Sequence, residues 1–281
     1  MNYVAFGCSV IGASHMRKGK VNQDSFYCTN NHSKSPIVVA LADGHVGNKY
    51  IRSHIGSYFA VQTIATIVAQ NTLLSLDANQ QLEDLVDHIK SRFLLAWQQK
   101  IAAHILEEPL TEDEQAFLTE NCGQDIFKQI IANPKGIYGC TFVCAIIYDG
   151  IWLLLQCGDG DILGLYNNEQ VKVLTYEDPR NIANQTMSLG AITSYRDISH
   201  IILIGEGIPT LVALFTDGVK NSFDEKTAID RFYKIPSLIN SELKANSYSI
   251  EVVIEPIKKM LEQITENGSG DDVTIGIVAS Y

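Results

Sequence analysis

The residues best placed to do chemistry in this sequence are aspartates at the ends of apolar segments. The run "IVVALADGHVG" (37–47) carries Asp43 directly after a strand-like stretch, and "LVALFTDG" carries Asp217 in the same way. "KVNQDSFYC" sets Asp24 at the start of another such stretch, and "NGSGDDVTIGIV" sets Asp271 and Asp272 in a glycine-rich turn before a third. A carboxylate buried alone costs heavily or takes up a proton. Two carboxylates about 5 Å apart repel by roughly 3 kcal/mol at an effective dielectric of about 20. A cluster of them therefore takes up protons or binds cations. Oxygen-only ligation by aspartates and a backbone carbonyl suits Mg²⁺ or Mn²⁺ rather than zinc. Gly44 and Gly218, following Asp43 and Asp217, let the chain turn sharply there. The residues alone also admit a plainer reading: Asp-Gly is a routine turn pair, and these are then unrelated solvated turns.

The elements that must position these residues follow from periodicity. Residues 3–11, 25–29 and 37–42 read as strands, the last buried on both faces. From 49 to 69 apolar residues recur at helical spacing, and a second helical stripe runs from 79 to 105 through Val86, Phe93 and Trp97. Thr111 and Glu114 form a capping-box pattern for a short third helix. The segment 139–166 reads as strand, Asp-Gly turn, strand, Gly-Asp turn, strand. Further strand patterns lie at 169–175, 200–204 and 211–216, helical patterns at 224–233 and 249–265, and "VTIGIVAS" closes the chain as a strand. Without a regular alternation of strand and helix, this order predicts an α+β fold with antiparallel sheets and helices outside. With no low-complexity linker and no fixed repeat, a single domain over 1–281 is expected, with a helical elaboration at about 75–135.

The chain of 281 residues is 46% hydrophobic and 19% charged, enough for a sizeable core. A formal net charge of -11 disfavours nucleic acid and acidic membrane surfaces as partners. No apolar run reaches the roughly 18 residues that span a bilayer, and no signal-peptide pattern opens the chain. The six cysteines form no C-x-x-C pair and mostly sit among apolar neighbours, which predicts reduced buried thiols and a cytoplasmic location. The triplets at Asn184 and Asn267 would accept glycans only in a secreted protein.

In chain order, "GASHMRKGKVNQDSF", "ALADGHVG", "GCTFVCAIIYDGIWLLLQCGDGDILGLY", "ALFTDGVKNSF" and "GSGDDVTIGIV" resemble the successive motifs of the metal-dependent type 2C Ser/Thr protein phosphatases. The resemblance covers the chain from about residue 8 to 278. It implies a four-layer α/β/β/α sandwich: two antiparallel sheets packed face to face, helices on both outer sides, and two Mg²⁺ or Mn²⁺ ions at one edge. On the matching positions, Asp43 resembles the carboxylate bridging both ions, with the Gly44 carbonyl on one. Asp217 and Asp271 resemble ligands of the second ion, and Asp24 the acidic group near the metal-bound waters. Asp272 falls at a position often held by asparagine, which implies a turn residue or a group that supports the ligands from behind, and Asp159 and Asp161 fall at a hairpin position. The implied reaction is hydrolysis of phosphoserine or phosphothreonine in proteins by a hydroxide held between the ions. His45 would give the leaving alkoxide its proton, with His15 a weaker candidate. A phosphorylated protein substrate and a partner Ser/Thr kinase follow.

Departures from the family pattern qualify the site. Gly19 stands where an arginine usually grips the phosphate, so Lys20 or Arg17 is the expected substitute; a lysine would act as a point charge without the bidentate fork. Gln23 replaces a frequent glutamate, and "KGIYGCT" lacks the aspartate that often holds a third ion. Asn221 stands where some members have another aspartate, so no tight third ion is expected. "EDPRNIANQTMSLGA" is expected to form a loop over the site. Two other functions fit the same residues: a phosphoprotein-binding module without turnover, and a phosphoesterase of small molecules.

Overall fold

The computed structural model describes residues 2–29, 36–70, 79–167, 169–176, 186–223 and 228–281. The apolar segments become the strands of two sheets. Strands β1 (Tyr3–Val10), β2 (Asp24–Cys28), β3 (Ile37–Asp43), β4 (Phe142–Tyr148), β5 (Ile151–Cys157), β6 (Asp161–Leu165), β7 (Val171–Val173), β8 (Ser199–Leu203), β9 (Leu211–Phe215) and β10 (Val273–Ser280) are joined by helices α1 (Ala13–Arg17), α2 (Ser53–Gln70), α3 (Asn79–Glu107), α4 (Glu112–Cys122), α5 (Gln124–Ala132), α6 (Asp217–Lys220), α7 (Ile229–Ala245) and α8 (Ile250–Asn267). One five-stranded sheet runs β1-β10-β9-β6-β7 and the other β2-β3-β4-β5-β8, with every described pairing antiparallel.

Side-chain alternation builds three apolar layers from these strands. Val39, Leu41, Val143, Ala145 and Leu154 meet Ile162, Val212, Leu214 and Val278 between the sheets. The opposite faces of β3–β5, through Ala40, Cys144, Ile146 and Leu155, pack on Ile64, Phe93 and Trp97 of α2 and α3. On the far side, Phe6, Ala213, Phe215 and Ile277 pack on Phe232, Ile239, Leu243, Val253 and Leu261 of α7 and α8. Two sheets face to face with helices on both outer sides are the expected four layers. The expected capping box is present: Thr111 Oγ1 accepts from the Glu114 N–H, and the Glu114 carboxylate accepts from the Thr111 N–H. Asp149 and Gly150, with φ of 46° and 78°, make the β4–β5 turn, the left-handed pair that tight hairpins use.

Two expectations need correction. The Gly-Asp turn after β5 is not a hairpin: β5 pairs with β8, whereas β6 crosses to the other sheet and pairs with β9. All five residues of β6 are buried, and only a strand inside that sheet can cover Ile162 on one face and Leu163 on the other. The helical pattern at 224–233 continues to Ala245 through Pro236, while 224–227 lie outside the described residues. Phe232, Ile235, Ile239 and Leu243 recur on one buried stripe, and packing of that stripe outweighs the interior proline.

Candidate active site and metal centre

Strand register assembles the acidic ends at one edge of the sandwich. In one sheet Asp24 at the start of β2 is the register partner of Asp43 at the end of β3. In the other, β9 ends beside the start of β10, Phe215 facing Ile275, which brings Asp217 next to the 271–272 turn. The start of β4 lies beside the end of β5, so the 158–160 turn arrives at the same edge. Gly44 is fixed there as well. Its N–H donates to the Gln23 carbonyl at 3.1 Å, and an added Cβ would meet that carbonyl oxygen at 2.8 Å and Ser53 C at 2.8 Å. Only glycine lets the chain pass so close.

The carboxylates brought together are in electrostatic conflict. Burial pushes Asp24 up to about 8, with Asp272 and Asp217 adding to the rise and hydrogen bonds from Thr274 and Thr216 opposing it. Its Oδ2 accepts from Thr274 Oγ1 at 2.6 Å and Thr216 Oγ1 at 2.8 Å, while Oδ1 is buried without a hydrogen-bond partner. Burial also lifts Asp43 well above the ordinary carboxylate range, helped by Asp24, Asp217 and Asp271. Asp217 is pushed up to about 6 by burial and then by Asp159; Asn221 Nδ2 donates to its Oδ2 at 2.9 Å. A carboxylate set that only protons reconcile is one that a divalent cation satisfies better. The donor chemistry thus fits an Mg²⁺ or Mn²⁺ centre.

The neighbours differ in how they join this edge. His45 is partly buried, its ring 4.9 Å from that of Tyr50, and its backbone N–H donates to Gly139 at 3.1 Å. Burial pushes its imidazole down, which Asp159 opposes and Lys49 reinforces. Arg17 at the end of α1 and Lys20 on the turn after it are both exposed. Arg17 lines a groove of about 620 Å³ against α8 with Lys258, Glu262 and Glu266, and neither cation has a described bond to an aspartate of the edge. Asp161 is buried and paired with Lys220 at 3.0 Å, a structural role. Residues 177–185 of the expected loop, with Asn184, lie outside the described residues. From Thr186 on, the segment packs against 139–141, Leu189 N donating to Cys140 O at 2.9 Å.

A family model for protein phosphatase 2C matches residues 11–246. The chain belongs to the protein phosphatase 2C family. Several solved structures share the fold at low identity. PppA, described as a key regulatory component of T6SS in Pseudomonas aeruginosa, is 15% identical with a TM-score of 0.59, covering 100% of this chain and 99% of that one. The catalytic domain of the serine threonine protein phosphatase PstP, in complex with 2 manganese ions, is 17% identical with a TM-score of 0.55, covering 99% and 98%. Stp1 from Staphylococcus aureus, a serine/threonine phosphatase, is 15% identical with a TM-score of 0.54, covering 99% and 94%. No curated protein sequence matches. No described helix of this phosphatase 2C chain is long and apolar enough to cross a membrane.

This phosphatase 2C edge holds groups that the sequence reading underrated. Asp159, at the position expected for a hairpin, raises both Asp217 and His45 and accepts from Thr186 Oγ1 at 2.6 Å. The repeated acidic spacing in "GDGD" was the available signal. Asp272, expected as a turn residue or as a support behind the ligands, accepts from Gly12 N at 2.6 Å and Gln23 N at 2.7 Å, clasping both ends of the basic turn. Nor is the acidic set evenly spaced. Among the described residues, the group of three potential ligands whose donor atoms all lie within 4.8 Å is His15, Asp271 and Asp272.

Proposed function

We propose that the chain hydrolyses phosphoserine or phosphothreonine in proteins with two bound Mg²⁺ or Mn²⁺ ions. It would act as one domain over 1–281, elaborated by the helices at about 75–135, in the cytoplasm and opposite a Ser/Thr kinase. The observation that carries this reading is the mutually repelling set of buried Asp24 and half-buried Asp43 and Asp217, with Asp24 Oδ1 left unpaired. A fold that needed only stability would gain by exchanging these for apolar residues.

Bound ions would supply the Lewis acid that makes water nucleophilic at neutral pH. Asp43, the Gly44 carbonyl, Asp217 and Asp271 would hold them, and Asp24 would order nearby water. Lys20 is the assigned phosphate contact. Arg17 is the weaker choice because of its place against α8, and Lys49, beside His45, is a further basic group at the rim. His45 is assigned to hand a proton to the leaving oxygen, the step a serine or threonine alkoxide needs most.

Phosphate release from a phosphothreonine peptide tests this directly. Turnover with Mn²⁺ should vanish with chelator and fall at least about 100-fold in Asp43→Asn, the scale of losing a preorganised electrostatic group. In the same assay His45→Ala should slow the peptide far more than p-nitrophenyl phosphate, whose leaving group needs no proton. Turnover that survives chelation would end the metal reading. Gly19, standing where the family usually has an arginine, favours a second reading, a phosphoprotein-binding module; saturable phosphopeptide binding without release of phosphate would establish it.

A further inference from the structure

Asp217 and Asp271, the two carboxylates expected on the same ion, come from different elements: Asp217 opens α6, and Asp271 lies in the glycine-rich turn before β10. Packing does little to hold Asp271, whose side chain is 38% exposed. Two serine hydroxyls join the elements instead. Ser222 Oγ donates to the Gly218 carbonyl at 2.7 Å, and Ser269 Oγ donates to the same carbonyl at 3.0 Å. The Ser269 N–H donates to Ser222 Oγ at 3.1 Å, and the Asp271 N–H to Ser269 Oγ at 3.2 Å. These bonds use each proton once, and the two oxygens, 2.9 Å apart, complete a closed clasp. It runs from the residue after Asp217 to the backbone of Asp271. Gly218 lies so close to this turn that a Cβ there would run into the Asp272 carbonyl oxygen.

Stability alone accounts poorly for the second hydroxyl. The Ser222 bond to Gly218, four residues back, closes α6 without help. Ser269 is exposed, where a hydroxyl exchanges its partner for water at little cost. What Ser269 adds is a fixed distance between two backbones that carry carboxylates. Metal choice depends on such rigidity. Mg²⁺, and Mn²⁺ with the same octahedral preference, needs donors close to ideal positions, whereas Ca²⁺ accepts looser sets of roughly six to eight oxygens. We propose that Ser269, acting with Ser222, is a positioning residue that sets the separation of Asp217 and Asp271 and makes their ion site selective for Mn²⁺ or Mg²⁺ over Ca²⁺. This rests on the assignment of both aspartates to one ion.

Calorimetric titration of the full chain with Mn²⁺ and with Ca²⁺ reads this without turnover. Asp271→Asn first marks the Mn²⁺ step that belongs to this ion. Ser269→Ala should weaken that step at least about 10-fold, the scale of losing a group that orients a ligand, with the other Mn²⁺ step and Ca²⁺ affinity nearly unchanged. Ser269→Thr, which keeps the hydroxyl, should restore it. Ser222→Ala should act like Ser269→Ala, and the double variant should lose little more than either alone, because the two serines work as one unit. Metal-free melting curves of Ser269→Ala and the wild type should nearly coincide. Unchanged Mn²⁺ binding, equal loss for Mn²⁺ and Ca²⁺, a loss that threonine does not restore, or a Ser269→Ala chain that no longer folds would each overturn the proposal and leave the phosphatase reading standing. If the wild type binds no Mn²⁺, both fall.

Discussion

At the residue scale, one side chain's burial changes what another can hold. Asp24 shares its Oδ2 between two threonine hydroxyls and has nothing for Oδ1, so its proton stays on to about 8; Asp217 releases its own near 6. Both values lie above the ordinary 3.8, so the metal-free folded state binds protons more tightly than the unfolded chain does. The stability they contribute is complete at low pH and is lost as pH rises through those values. A divalent ion competes with the same protons. The gain in Tm on adding Mn²⁺ should therefore grow steadily from pH 5.5 to 8, and Asp43→Asn should raise the metal-free Tm at pH 8. A gain independent of pH would show that the acidic edge takes no part in binding. The aspartates and His45 were legible because their types stand at strand ends. The surroundings of Asp159 and His15 were not legible, because the groups that face them come from distant segments of chain.

At the element scale, close backbone approaches set where the edge lies. Helix α2 begins at Ser53, shortly after the Asp43 turn, and crosses the 3-10 turn Pro134–Tyr138 that leads into β4. Gly56 is the crossing point. Its carbonyl accepts from Trp97 Nε1 at 3.0 Å, and an added Cβ would run into the Tyr138 carbonyl oxygen and come within 2.8 Å of its carbon. Overpacking of that kind costs about 1–3 kcal/mol, more than the roughly 1 kcal/mol that alanine gains over glycine in a helix. Gly56→Ala should thus lower Tm by about 2–6 °C for a chain this size, and it should weaken Mn²⁺ binding by shifting α2 against the Gly44 turn. An unchanged melting curve would mean the turn yields at no cost. The elements themselves were mostly visible in the sequence, because period and capping are local. The fate of β6 was not, because either sheet satisfies an apolar pentapeptide equally well until its partners are known.

At the scale of the molecule, Arg52, just before α2, adds a polar tie between the α3–α4 junction and the turn that leads into β4. Arg52, 6% exposed, donates to Glu114 Oε1 at 2.9 Å and Oε2 at 2.7 Å, to the carbonyls of Glu108 and Pro109, and to the Tyr138 hydroxyl. The Arg52 hydrogen bond holds the Glu114 carboxyl below its usual range. That stability is present above the unfolded value of 4.5 and is lost as pH falls through the lower folded value. Arg52→Ala should cost about 3 kcal/mol at pH 7, the low end for breaking a buried pair because Glu114 stays 26% exposed. Denaturant titrations at pH 7 and pH 3.5 check this: the deficit should shrink on acidification, and a deficit equal at both would assign it to packing alone.

By itself the sequence determined the elements, the acidic strand ends and the family pattern, because periodicity, turn chemistry and motif order act over a few residues at a time. Only the tertiary structure decided which ends meet. Asp24 bonds Thr274 across 250 positions of chain, and no local pattern encodes such a contact. It exists because antiparallel register and the packing of two sheets deliver distant strand ends to one edge, where burial turns ordinary aspartates into a site.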